Sequence, residues 1–166
     1  MTPGYDIRCS VMVVRKHNVL LIHRTHEGLD DWVLPGGTPR GGESLRACAR
    51  RELLEETGVS ADPSVVALIV ESELPGSPRG LLDVVFLATG PVLGREHCRE
   101  PGLVPSFISP EQTAGLKLHP NFAAQLIRLT DPGSHGYAAY LRNSVKSLET
   151  AASALRVVVA DPRGGI

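Results

Sequence analysis

The chain predicts an α/β fold, a mixed sheet with helices laid against it. Three observations lead there. Apolar runs rich in β-branched residues at 7–15, 19–24, 65–73 and 81–89 read as strands. Helical patterns at 44–57, after 109 and at 120–129 interleave with those strands, the order expected of a layered α/β architecture. A length of 166 residues suits one domain with a substantial core.

The elements follow in order. Residues 7–15 form a first strand and Val19–Arg24 its hairpin partner, joined by the polar turn Lys16-His17-Asn18. Asn18 tolerates the left-handed conformations of hairpin turns. After a loop at 27–31, Trp32–Leu34 is a short strand that Pro35-Gly36-Gly37 terminates. Residues 38–42 form a loop. Ser44 is a good N-cap and Gly58 a good C′ residue, so they bracket a helix. Leu54 and Ala47 lie opposite the acids of that helix and are expected in the core. Two strands, 65–73 and 81–89, flank a turn-rich loop. Residues 90–105 read as a long loop. Phe107-Ile108 is a short strand before the helix start Ser109-Pro110-Glu111. Residues 120–129 form a further helix.

Beyond 131–133, Tyr137, Leu141, Val145, Leu148, Ala152 and Leu155 recur at helical spacing. The expected organisation is therefore one domain over 1–132. A C-terminal helix and flexible tail over 133–166 would dock on the same domain or at a homodimer interface.

Composition narrows the function classes. A formal net charge of −1 offers no global basic field for nucleic acid or anionic membrane. Cys9, Cys48 and Cys98 are odd in number and lack a CxxC spacing, which points away from disulfides and zinc and toward a reducing, cytoplasmic setting. The first residues lack the pattern of a signal peptide. No run reaches the roughly 20 apolar residues of a membrane helix.

The chemistry concentrates at the end of the 44–57 helix. At about 100° per residue, Glu52, Glu55 and Glu56 fall within one face roughly 100° wide. Like charges at i,i+4 destabilise a helix, and anions near its C-terminal end oppose the macrodipole. A hard divalent cation with oxygen ligands is the natural compensation, Mg²⁺ first, with Mn²⁺ able to substitute. Gly36-Gly37 and Gly41-Gly42 allow close approach of backbone to a ligand.

These residues match a known pattern position for position: glycine, five residues, glutamate, seven residues, then Arg-Glu-apolar-x-Glu-Glu-x-Gly-apolar. Gly37, Glu43, Arg51, Glu52, Leu53, Glu55, Glu56, Gly58 and Val59 fill every fixed place. The chain resembles the Nudix hydrolases, strongly over 37–59 and more weakly over 7–130. The resemblance implies an α/β/α sandwich with a mixed sheet and a loop-helix-loop signature. It implies a metal-dependent pyrophosphohydrolase acting on a small-molecule nucleotide, with metal at Glu52, Glu55, Glu56 and the Gly37 carbonyl. It also implies that Arg51 orients the acids, with Glu43 as structural support.

The general base is Glu55 or Glu52. Arg24, Trp32 and Gly36 are candidate substrate-binding residues. Glu100 and Glu96 are candidate auxiliary acids from the 90–105 loop. Pro75, 16 residues after Val59, resembles a marker of ADP-ribose pyrophosphatases. A nucleotide-sugar substrate such as ADP-ribose is therefore one expectation and a nucleoside triphosphate the alternative. A nucleotide-sensing domain without catalysis is the non-enzyme reading.

Overall fold

The computed structural model describes residues 4–73, 76–98, 100–119 and 129–130, and the backbone of 139–143 and 158–159. Its elements are β1 (Tyr5–Met12), β2 (Val14–Arg15), β3 (Asn18–Arg24), β4 (Asp31–Val33), β5 (Gly36–Gly37) and α1 (Leu45–Thr57). They continue with β6 (Ser60–Glu73), β7 (Gly80–Leu93), β8 (Leu103–Ile108), α2 (Pro110–Thr113), β9 (Ala139–Asn143) and β10 (Val158–Val159).

A six-stranded sheet runs β10-β9-β6-β7-β1-β5. It is mixed: β1 pairs with β7 and β6 with β9 in parallel, whereas β6 and β7 are antiparallel. A second sheet is built on β3, with β2 and β4 along one edge and β8 along the other. This is the expected α/β/α sandwich.

The period-two alternation of strands decides what lies on each face. From β1, Cys9 and Val11 point toward α1, where they meet Cys48, Ala49 and Leu53 with Val84 and Phe86 of β7. Met12 points the other way and joins Leu68, Val70, Val85, Leu118 and Leu129. Two apolar clusters therefore sandwich the sheet.

Several local details depart from the expectations. The β2–β3 turn places Lys16 (φ 51°) and His17 (φ 66°), not Asn18, in the left-handed region. Asn18 pairs with Arg15 in the ladder, so the loop has two residues. Two consecutive positive φ values match the right-handed twist of the flanking strands.

α1 begins and ends where expected. Ser44 Oγ accepts the Ala47 N–H at 3.1 Å, and Gly58, at φ 68°, donates its N–H to Leu54 O at 3.0 Å. The inward face is different. Leu54 is 55% exposed and Ala47 is also exposed. The buried positions are Cys48, Ala49, Leu53 and Thr57. The acids border this inward face, so the positions opposite them meet solvent.

β6 and β7 are longer than expected, pairing from Ser60↔Leu93 to Glu73↔Gly80. Register shifts between Ser60 and Asp62, Pro63 and Val65, and Val66 and Leu68 let Pro63 sit within β6. The first part of the expected 90–105 loop is thus strand, and β8 takes up its end.

The expected terminal helix is replaced over 139–143 by β9, which pairs with β6 from Leu68↔Ala139 to Ser72↔Asn143. The unpaired backbone groups along β6 offer a partner that side-chain periodicity cannot reveal. Tyr137, Val145, Leu148, Ala152 and Leu155 lie outside the described residues, as do Pro75, residues 120–128 of the helix expected over 120–129 and the tail at 161–165. Among the described residues no helix is long and apolar enough to cross a membrane.

Candidate functional site

The site forms where α1 meets β5. Gly36 and Gly37 pair in register with Ser10 and Cys9 of β1, which presses the loop onto the sheet edge. α1 crosses that edge with Glu52 and Glu56, one turn apart, facing the two glycines. The Gly36 N–H donates to Glu56 Oε2 at 2.9 Å. A Cβ at Gly37 would fall 2.4 Å from Glu52 Oε1. At Gly36 it would fall 2.3 Å from the Cys9 carbonyl oxygen and 2.6 Å from Ser10 Cα. These glycines are therefore needed for close approach. Because the obstruction at Gly36 is backbone, Gly36→Ala is expected to force β5 away from β1 and cost about 2–3 kcal/mol. Urea unfolding checks this, and an unchanged midpoint would show that the pairing tolerates a methyl group.

Arg51 is the hub of the acids. Its Nε and Nη2 donate to the two oxygens of Glu43, each at 2.9 Å. Nη1 donates to Glu52 Oε1 at 2.6 Å and to Glu55 Oε2 at 3.1 Å. Glu43 also accepts the Arg40 N–H at 3.0 Å. With these donors, led by Arg51, the Glu43 carboxyl is pulled down to about 2. The Glu43 carboxylate in turn raises the Arg51 guanidinium above its ordinary range. Glu55 is half exposed, with Arg40 Nη2 at 3.5 Å on its other side.

Glu56 behaves differently. Burial raises its carboxyl to about 7, although the Gly36 N–H and the Arg8 charge pull the other way. The charges of Glu52 and Glu100 add to the rise. Glu100 therefore lies within electrostatic reach of the acidic edge. Glu96 does not join the acids, because it forms an ion pair with Arg15, whose guanidinium lies 3.9 Å over the Phe107 ring.

The substrate-binding candidates fall in two places. Gly36 is at the acidic edge. Arg24 and Trp32 belong to the β3–β4 pair. Arg24 donates to both oxygens of Asp31, at 2.7 and 2.6 Å, and these bonds lower the Asp31 carboxyl. Trp32 stacks on His23 with ring centroids 4.5 Å apart and packs against the Met12 cluster. One face of its indole is thus already covered.

Sequence reasoning missed Arg8. From β1 it donates to Leu34 O at 3.3 Å and Ser10 Oγ at 3.2 Å, and it lies 3.7 Å from Asp83 of β7. Its charge lowers Glu56, which makes it the sheet's contribution to the electrostatics of the site. Asp83 is buried, accepts from Ser10 Oγ at 2.8 Å and has a carboxyl raised by burial. Its Oδ1 finds no hydrogen-bond partner among the described residues. The available signal was two opposite charges within runs otherwise read as buried strand.

The donor set fits a hard cation. Three carboxylates and the Gly37 carbonyl supply only oxygen, and glycine at 37 leaves room for Glu52 against the loop. Among the described residues the acidic side chains do not converge on one centre. Glu52 and Glu55 share Arg51 Nη1 as donor, and Glu56 turns to the Gly36 N–H.

A mixed sheet with an arginine-clamped acidic helix and a glycine loop on one face defines an α/β/α sandwich domain of the loop-helix-loop kind. The chain belongs to the Nudix family, whose NUDIX domain model matches residues 5–129. It is 35% identical over 117 residues to a Mycobacterium tuberculosis protein named "Putative 8-oxo-dGTP diphosphatase 3", covering 67% of this chain and 53% of that protein. The chain thus spans about half the length of that relative. A Bacillus subtilis protein named "Putative ADP-ribose pyrophosphatase YjhB" is 32% identical over 77 residues, 46% of this chain and 35% of that protein. A crystal structure of a MutT protein from Bacillus halodurans superposes with a TM-score of 0.68 at 20% identity, covering 84% of this chain and 89% of that one. That likeness is one of fold.

Proposed function

We propose that this protein is a Mg²⁺-dependent pyrophosphohydrolase that cleaves a phosphoanhydride bond in a nucleoside diphosphate derivative. The observation that carries the proposal is the geometry of the acidic edge: Glu52 and Glu56 face Gly36 and Gly37 while Arg51 holds Glu43, Glu52 and Glu55 from behind. Glu52, Glu56 and the Gly37 carbonyl would hold the ion, with Glu55 beside them. When bound, Mg²⁺ supplies charge neutralisation for the diphosphate and acidifies water.

The chain's own residues do the rest. The rigid helix fixes the relative positions of the acids, and rigid placement favours in-line geometry. Glu52 is tightly engaged by Arg51, whereas Glu55 is half exposed and held by longer contacts. Glu55 is accordingly the better placed of the two to accept a proton from the attacking water. Arg8 places positive charge near Glu56 on the sheet side, where substrate phosphate would also benefit from it. Glu100 is retained as an auxiliary acid because its charge is felt at Glu56; Glu96 is not. Residues 1–132 would form the catalytic unit, with β9 and β10 extending its sheet.

For the substrate, ADP-ribose or another nucleotide sugar is the first reading. The name of the M. tuberculosis relative supports a second, a nucleoside triphosphate. Hydrolysis of nucleoside triphosphates, ADP-ribose, other sugar nucleotides and dinucleoside polyphosphates in ¹⁸O-labelled water tests both. Turnover should require Mg²⁺ and vanish in Glu56→Gln, and product identity and label position should report the substrate and the phosphorus attacked. Tight nucleotide binding with no product from any of them would overturn catalysis in favour of a sensing domain.

A further inference from the structure

Cys48 is not among the fixed positions of the signature. It sits on α1 one turn before Glu52, on the same inward face, and is fully buried. Its Sγ lies 3.5 Å from the Gly37 carbonyl oxygen, positioned to donate its S–H there. The same sulfur lies 3.7 Å from Arg51 Nη2, which donates to it. Cys9 of β1, which pairs in register with Gly37, adjoins it closely enough for the two thiols to interact. Sulfur 48 is thus placed at the junction of the arginine hub, the sheet and the glycine loop.

We propose that Cys48 is a positioning residue that aims the Gly37 carbonyl at the metal. The inference rests on the reading of that carbonyl as a ligand. A backbone carbonyl on a two-residue strand has little of its own to fix its tilt. β1 holds Gly37 from one side, and the Cys48 S–H supplies a second anchor from the helix that carries the carboxylates. Loop and helix oxygens are thereby held in one frame, as outer hydrogen bonds orient ligands in metal sites. An alanine at 48 keeps the helix but removes the donor. A serine restores a donor of similar size, although its shorter bond must draw the loop inward. A thiol is ordinarily protonated at neutral pH, and its S–H is a weak donor.

The test is Mn²⁺ binding by electron paramagnetic resonance with wild type, Cys48→Ala, Cys48→Ser and, as a control on the site, Glu56→Gln. Cys48→Ala should weaken Mn²⁺ about fivefold, less than the roughly tenfold or greater effect of stronger outer partners because a thiol is a weak donor. Cys48→Ser should recover most of that loss. The infrared S–H stretch, read as wild type minus Cys48→Ala without metal, should show a hydrogen-bonded band. A free S–H band, or wild-type affinity in Cys48→Ala while Glu56→Gln binds poorly, overturns the positioning role alone. Wild-type affinity in Glu56→Gln overturns the metal site, and this proposal with it.

Discussion

Arg51→Ala is expected to cost about 2–3 kcal/mol of stability and to reduce turnover at least about 100-fold. The side chain is only 16% exposed and gives hydrogen bonds to three carboxylates. Charge-assisted bonds of this kind are worth more than neutral ones, and their loss leaves Glu43, Glu52 and Glu55 without the cation they share. The stability loss should lower Tm by roughly 6–12 °C for a domain of this size. Arg51→Lys should rescue little, because one ammonium cannot match both oxygens of Glu43 and still reach Glu52. Calorimetry in EDTA separates the two effects. Addition of saturating Mg²⁺ should return part of the lost stability by cancelling the exposed repulsion, but not the lost turnover, since the frame of the acids is gone. Equal melting temperatures for wild type and Arg51→Ala would mean that the network is solvated and idle.

The second large effect is a pH dependence carried by Glu56. Its carboxyl titrates near 7 in the folded chain against 4.5 when unperturbed, chiefly because it is buried. A raised acid means that the folded form holds a proton the unfolded form has released. This contribution to stability is intact below about pH 4.5 and is lost as pH rises through 7. The shift corresponds to about 3 kcal/mol. Urea unfolding in EDTA should therefore show stability declining across that window in wild type. Glu56→Gln, which cannot ionise, should lack that part of the decline. Metal reverses the sense, since an ion on Glu56 favours the anion. Mg²⁺ binding below pH 7 should release close to one proton and strengthen about tenfold per pH unit until pH 7. Calorimetric titration in two buffers of different ionisation enthalpy counts the protons. Parallel stability curves for wild type and Glu56→Gln would show that Glu56 is solvated and ionised in the fold.

How much of this was legible in the chain depends on whether the cause was local. Ser44 and Gly58 mark the ends of α1 because capping chemistry is written in the residues themselves. The spacing of Glu52, Glu55 and Glu56 placed them on one side of a helix for the same reason. Which side faced inward was not local. Leu54 looked like core because acids usually face water, yet the acids border the buried face and Leu54 lies outside. β9 was invisible because its stabilising partner is the edge of β6, some seventy residues earlier. Arg8 and Asp83 lie inside runs read simply as strand, and it is the parallel register that sets them side by side across β1 and β7. Pairing of distant strands creates that juxtaposition, and no window along the chain contains both.

The short strands at the two flanks of the large sheet have a consequence for self-association. One flank ends in the two residues of β5, directly beside the acidic helix, and the other in the two residues of β10. Among the described residues neither presents the long row of free amides on which a foreign strand can zip up. A second molecule cannot continue the sheet without unseating one of them, and at β5 it would dismantle the carboxylate cradle in the process. Association at the β5 flank would therefore compete with the cradle itself.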